Sequence, residues 1–115
     1  MAQDPLHPEA PSGTISGNAN TLYSLQERLQ TQLDPDCVGV AQSVTITADL
    51  SNTAAVNLGK ASPVAGNVSS TNYGYPLNPG SSQSYRSSYP GSESPVSVLQ
   101  IFSTQNWILH VDVVI

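Results

Sequence analysis

The apolar residues of this chain gather toward its C-terminal end. Between Pro95 and Ile115 two runs, VSVLQIF and WILHVDVVI, flank the polar stretch Ser103-Thr104-Gln105-Asn106, and nowhere else are β-branched and aromatic residues so dense. Two such runs around a short polar turn predict a β-hairpin. In the second run Trp107, Leu109, Val111, Val113 and Ile115 alternate with Ile108, His110, Asp112 and Val114. The first set is expected to face a core and the second to form a mixed outer face. Because the apolar run extends to Ile115, the C-terminus is expected to be held in the sheet.

Asp36 to Asp49 alternates as well, Val38, Val40, Val44, Ile46 and Ala48 against Gly39, Ala41, Ser43, Thr45 and Thr47, which predicts a half-buried strand. Ser51-Asn52-Thr53 reads as a turn into a short strand, Ala54 to Leu58, ended by Gly59; a weaker extended piece follows over Val64 to Val68. From Thr21 to Leu33 the period changes. Leu22, Leu25, Leu29 and Leu33 recur at three- and four-residue intervals, the mark of one amphipathic helix. Asn20 or Thr21 can cap it, Ser24 with Glu27 resembles a capping box one turn later, and Asp34-Pro35 stops it. Its leucine stripe either closes an open edge or end of the sheet or docks on another protein.

Two segments carry no period. Met1 to Asn20, with Pro5, Pro8, Pro11, Gly13 and Gly17, reads as an extended arm able to order along a neighbouring subunit. Ser69 to Ser94 reads as a long Tyr/Ser-rich loop, in which Pro79-Gly80 suits the centre of a type II turn and Gln83 to Arg86 a short edge strand. The expected organisation is an arm over 1–20, a helix over 21–35 and a β domain over 36–115 that includes the loop 69–94. Tyrosine covers area at low entropy cost, so Tyr73, Tyr75, Tyr85 and Tyr89 join Leu22, Leu25, Leu29 and Leu33 as candidate protein-contact residues.

Composition sharpens the fold class. Only 10% of the 115 residues are charged, and Gly and Pro number 8 and 9, a balance that favours many short strands joined by turns. The expectation from composition is a mainly β protein with the N-terminal arm and one short helix. The net charge of −5, with Arg28, Lys60 and Arg86 as scattered cations, argues against nucleic acid and against an anionic membrane as partners. No apolar run has the length of a membrane span. The acidic, proline-rich start lacks a basic then apolar export pattern, so synthesis and use without Sec export is expected.

Chemistry is sparse in the pattern. His110 and Asp112 share one side of a strand, but no G-x-S-x-G supplies a nucleophile, and His7 is the remaining histidine. Asp34 and Asp36 flank Pro35 as a helix stop, without calcium-loop spacing. The single cysteine, Cys37, reads as a small packed hydrophobe, and Asn67-Val68-Ser69 is a sequon whose use requires export. No catalytic residue, cofactor or metal ligand is assigned, and a non-enzymatic protein is expected.

Three stretches, NTAAVNLG over Asn52 to Gly59, YGYPLNPG over Tyr73 to Gly80 and the VLQIFSTQNWILHVDVV segment, follow one another in an order that resembles small structural proteins of tailed bacteriophages. The resemblance covers Ser51 to Val114 and rests on turn motifs. It implies a single small antiparallel β-sandwich, jelly-roll-like, carried on the virion, most simply a capsid decoration or cement protein on capsomer junctions. Its implied partners are the major capsid protein or another virion protein, with a homotrimer as the expected assembly. A neck, tail or fibre-attachment component is the alternative within that class. Outside it stands a carbohydrate or host-surface module stacking sugars on Tyr73, Tyr75, Tyr85, Tyr89 and Trp107.

Overall fold

A computed structural model describes residues 12–33, 43–61, 66–72, 74–86 and 98–114. Eight strands and one helix follow in the order β1 (Gly13–Gly17), β2 (Tyr23–Ser24), α1 (Leu25–Gln32), β3 (Ser43–Ala48), β4 (Val56–Lys60), β5 (Tyr75–Leu77), β6 (Ser82–Arg86), β7 (Leu99–Phe102) and β8 (Trp107–Val114). They form two four-stranded antiparallel sheets, sheet A in the order β1-β8-β3-β6 and sheet B in the order β2-β7-β4-β5. The mainly β expectation holds, and the described strands pack as two sheets. The pairings nest: β1 with β8, β2 with β7, β3 with β6 and β4 with β5. The chain is thus one long ribbon doubled back at the β4–β5 connection and wrapped so that successive pairs fall in opposite sheets.

Alternation explains the two longest strands. In β8 Trp107, Leu109, Val111 and Val113 are buried and His110, Asp112 and Val114 exposed; in β3 Val44, Ile46 and Ala48 are buried. Between the sheets these side chains meet Ile15, Val56, Leu58, Leu77, Leu99 and Ile101. The 78–81 turn also forms as expected, Ser81 N–H donating to Asn78 C=O at 2.9 Å with Gly80 at φ +82°, a value that suits glycine at this position of a type II turn. Gln83 to Arg86 lies within β6, at an edge of sheet A.

Four expectations need correction. VSVLQIF and WILHVDVVI are not a hairpin, because β7 lies in sheet B and β8 in sheet A. The connection crosses the core: Ser103 is buried, its hydroxyl donates to Ala55 C=O at 2.9 Å, and its own C=O accepts from Asn20 N–H at 2.7 Å. A four-residue polar link such as Ser-Thr-Gln-Asn suits a hairpin loop and a passage between sheets equally, so the turn does not decide the pairing. Residues 13–20, read as arm, belong to the sandwich: Ile15 is 1% exposed and β1 pairs with β8 along its whole length. One apolar residue among Gly, Thr and Ser leaves no visible period.

The helix starts at Leu25 rather than Thr21. Ser24 is its cap, accepting from Glu27 N–H at 3.1 Å, and Tyr23–Ser24 pair with β7. The stretch over Tyr75 to Leu77, read as part of the long loop, is β5, with Leu77 wholly buried. Cys37, the 36–42 part of the strand expected over Asp36 to Asp49, and Val64 lie outside the described residues. Val68 is buried in a loop over the outer side of sheet B, where a Cβ on Gly59 would stand 3.3 Å from its methyl. Asn57 Nδ2 donates to Ser69 C=O at 3.0 Å, and Gln100 Oε1 accepts from Val68 N–H at 3.0 Å, fastening that loop.

Candidate protein-contact face

Because strands alternate, the outward residues of sheet A form rows across the sheet. Thr14, His110, Thr47 and Ser82 stand in one register row, Asp112, Thr45 and Ser84 in the next, and Val114, Ser43 and Arg86 in a third. Most of these side chains are short and polar, and they bond one another. Thr45 and Ser84 hydroxyls lie 2.9 Å apart, Thr47 and Ser82 2.6 Å. Ser12 Oγ donates to Asp112 Oδ1 at 3.0 Å.

The centre of the face is a relay. Thr14 Oγ1 lies 3.1 Å from His110 Nδ1, and His110 Nε2 2.7 Å from Asp49 Oδ1. Asp49 accepts further bonds from Ser51, from the hydroxyl and, at 2.9 Å, from N–H. These contacts hold its carboxyl at a pKa of about 2, the Ser51 hydroxyl being the largest cause and His110 the next. Nε2 is thus the ring nitrogen that faces the Asp49 carboxylate and Nδ1 the one that faces the Thr14 hydroxyl. The roles of the two ring nitrogens are the reverse of those in a Ser-His-Asp triad. The relay ties β1, β8 and the β3–β4 turn together.

The sequence places His110 and Asp112 on one side of a strand, but Asp112 accepts from Ser12. Asp49, brought alongside by the β3·β8 register, takes the imidazole instead. Nothing local marks Asp49 as its partner.

The candidate contact residues that are described, Leu22, Leu25, Leu29, Leu33, Tyr75 and Tyr85, do not form one exposed surface. Leu25 and Leu29 are wholly buried and Leu33 packs against the core, so the stripe closes the sandwich and these side chains are unavailable for docking. Of the two readings weighed for the helix, the closing one is what the packing shows. Leu22 is exposed, as is Tyr75. Tyr85 is half-buried against the core, its hydroxyl without a partner among the described residues and its pKa raised by burial. Tyr73 and Tyr89 lie outside the described residues. Trp107, offered for sugar stacking, is 1% exposed and packs edge-to-face on Tyr23 at 5.6 Å, which leaves no ring face for a ligand.

Among the described residues no three His, Cys, Asp or Glu side chains converge as metal ligands, and no helix is long and apolar enough to cross a membrane. Compared with protein-family models, curated proteins and solved structures, the chain has no significant match.

Proposed function

We propose that this chain is a non-enzymatic structural protein of a tailed-phage virion, a decoration protein that seats on capsomer junctions and stabilises the head. The observation that carries this reading is the outer face of sheet A. Covering a polar surface is costly when donors and acceptors lose water without gaining partners. Here Thr45, Thr47, Ser82, Ser84, Ser12, Thr14, His110 and Asp49 are already bonded within the face. Short side chains also have little rotamer freedom to lose. A flat protein partner therefore covers this face at small cost, and weak contacts repeated over a symmetric shell sum to useful stability.

The nested order β1-β8-β3-β6 and β2-β7-β4-β5 supports the reading by analogy. It is the strand order of a jelly roll of two Greek keys, an architecture used by viral capsid and lectin domains alike. The partner in this proposal is the major capsid protein or another virion protein, the assembly a homotrimer at threefold junctions, and the location the virion. The lectin alternative loses Trp107 as a stacking residue.

Quantitative mass spectrometry of purified particles tests the proposal through the copy number of this chain relative to the main shell protein. A ratio near that of the shell subunits is expected. A few copies per particle would assign the chain to the neck or tail, and absence from particles would overturn the virion reading.

A further inference from the structure

The connections β1–β2, β3–β4 and β7–β8 meet at one end of the sandwich. Asn20 N–H donates to Ser103 C=O, Ala19 N–H to Asn106 Oδ1 at 2.8 Å, and Asn52 bonds the backbone of Ile108. Between them opens a cleft of about 300 Å³, walled by Ser16, Asn18, Ser51, Asn52, Asn106 and Trp107. Ligand sites span roughly 300–1,000 Å³, so this one has room for a single ring rather than a chain of rings.

We propose that this cleft binds one neutral sugar ring through asparagine amides. Among the described residues no charged side chain lines it, which favours a neutral ligand. An asparagine amide offers a carbonyl acceptor and two N–H donors side by side, the pattern that adjacent ring hydroxyls satisfy. Asn106 gives its Oδ1 to Ala19 and keeps its NH2, while the exposed Asn18 amide has no partner among the described residues. Ser51 Oγ donates to Asp49 and keeps acceptor capacity.

The walls are preorganised. Asn52 is clamped by both backbone groups of Ile108, and Asn18 N–H donates to Tyr23 Oη at 2.9 Å. Ordering costs on binding are correspondingly small. Trp107 supplies no stacking face, and its Nε1, without a partner among the described residues, is itself buried. The inference stands apart from the virion reading, since it concerns a different surface and is measured on the isolated chain.

Trp107 is the only tryptophan of the chain and lines the cleft, so its emission reports occupancy. Methyl glycosides of glucose, galactose, mannose and N-acetylglucosamine would be titrated while following that emission and the amide resonances of Gly17, Asn18, Asn52 and Asn106, with glycerol as the non-specific polyol control. A saturable response to at least one glycoside at roughly millimolar concentration is expected. Asn18→Ala should weaken it at least about tenfold; its amide makes no structural bond, and an unchanged thermal midpoint would show the fold retained. Responses no larger than glycerol's for all four glycosides, or equal binding by a folded Asn18→Ala variant, would overturn the proposal.

Discussion

Asn52 grips Ile108 with both ends of its side-chain amide: Oδ1 accepts the Ile108 N–H at 2.8 Å and Nδ2 donates to the Ile108 C=O at 2.9 Å. A residue of the β3–β4 turn thereby acts as a one-residue strand beside β8, and it is itself only 8% exposed. Asn52→Ala strands the Ile108 N–H in a part-buried place, while the Ile108 C=O keeps its bond from Asp49 N–H at 3.1 Å, and the lost donor costs about 1–3 kcal/mol. Asn52→Asp keeps the acceptor but sets a carboxylate against a carbonyl oxygen, and is expected to cost more. Urea unfolding of both variants checks this order; an unchanged midpoint for Asn52→Ala would show that water replaces the amide without loss.

Gly17 and Trp107 make a second such pair. A Cβ on Gly17 would stand 2.3 Å from the indole Cζ2, 2.5 Å from Cε2 and 2.6 Å from Tyr23 Cε2. None of these atoms ends a flexible chain, because the indole is buried and Tyr23 lies beneath the Arg28 guanidinium, 4.4 Å from its ring centre. Gly17→Ala is therefore expected to destabilise by about 1–3 kcal/mol through overpacking. In a double-mutant cycle Trp107→Phe should recover part of that loss, since a smaller ring vacates the space. Strict additivity of the two changes would contradict the steric account.

What was readable in the chain follows from where the signal is repeated. Strands β3 and β8 each place several buried residues at a period of two, and α1 places leucines at helical spacing, so element type and inward face were legible. Strand β1 has a single buried aliphatic residue, Ile15, and β5 has Leu77, too few to define a period. Pairing partners were less legible still. Both apolar runs near the C-terminus point their buried residues into one core, and that pattern is shared by a hairpin and by two strands in facing sheets. The polar face was half visible. Thr45, Thr47, His110 and Asp112 were read as outward, but their neighbours Thr14, Ser82 and Ser84 arrive from strands far away in sequence.

Asp49 provides a prediction in pH. Its carboxyl is held at about 2 against an ordinary 3.8, so the folded state binds the proton less readily than the unfolded chain. The stabilisation is fully present above about pH 4 and is lost as pH falls through about 2. Carbon-detected titration of the Asp49 carboxyl should give a midpoint near 2. Because the Ser51 hydroxyl is the larger cause and His110 the smaller, Ser51→Ala should raise that midpoint more than His110→Ala does. The opposite order would make the imidazole, rather than the turn, the dominant partner.

The helix offers the sharpest contrast between residues that look alike in sequence. Leu22 and Leu25 fall on one stripe, yet Leu22 is 39% exposed while Leu25 is fully buried. Leu25 belongs to the first turn of α1, whose cap Ser24 is paired into sheet B through Gln100. The side chain is thus carried into the space between the sheets by both elements. Leu25→Ala leaves a cavity that the fixed β2 and β7 backbones cannot collapse, and should cost about 2–5 kcal/mol. Leu25→Asp puts a carboxyl there without a partner and should abolish folding. Leu22→Ala and Leu22→Asp remove an exposed side chain, and each should shift stability by less than about 0.5 kcal/mol. Chemical denaturation of the four variants separates the alternatives. A folded Leu25→Asp protein would mean that the helix swings away from the sandwich, returning its stripe to the set of surfaces available for a partner.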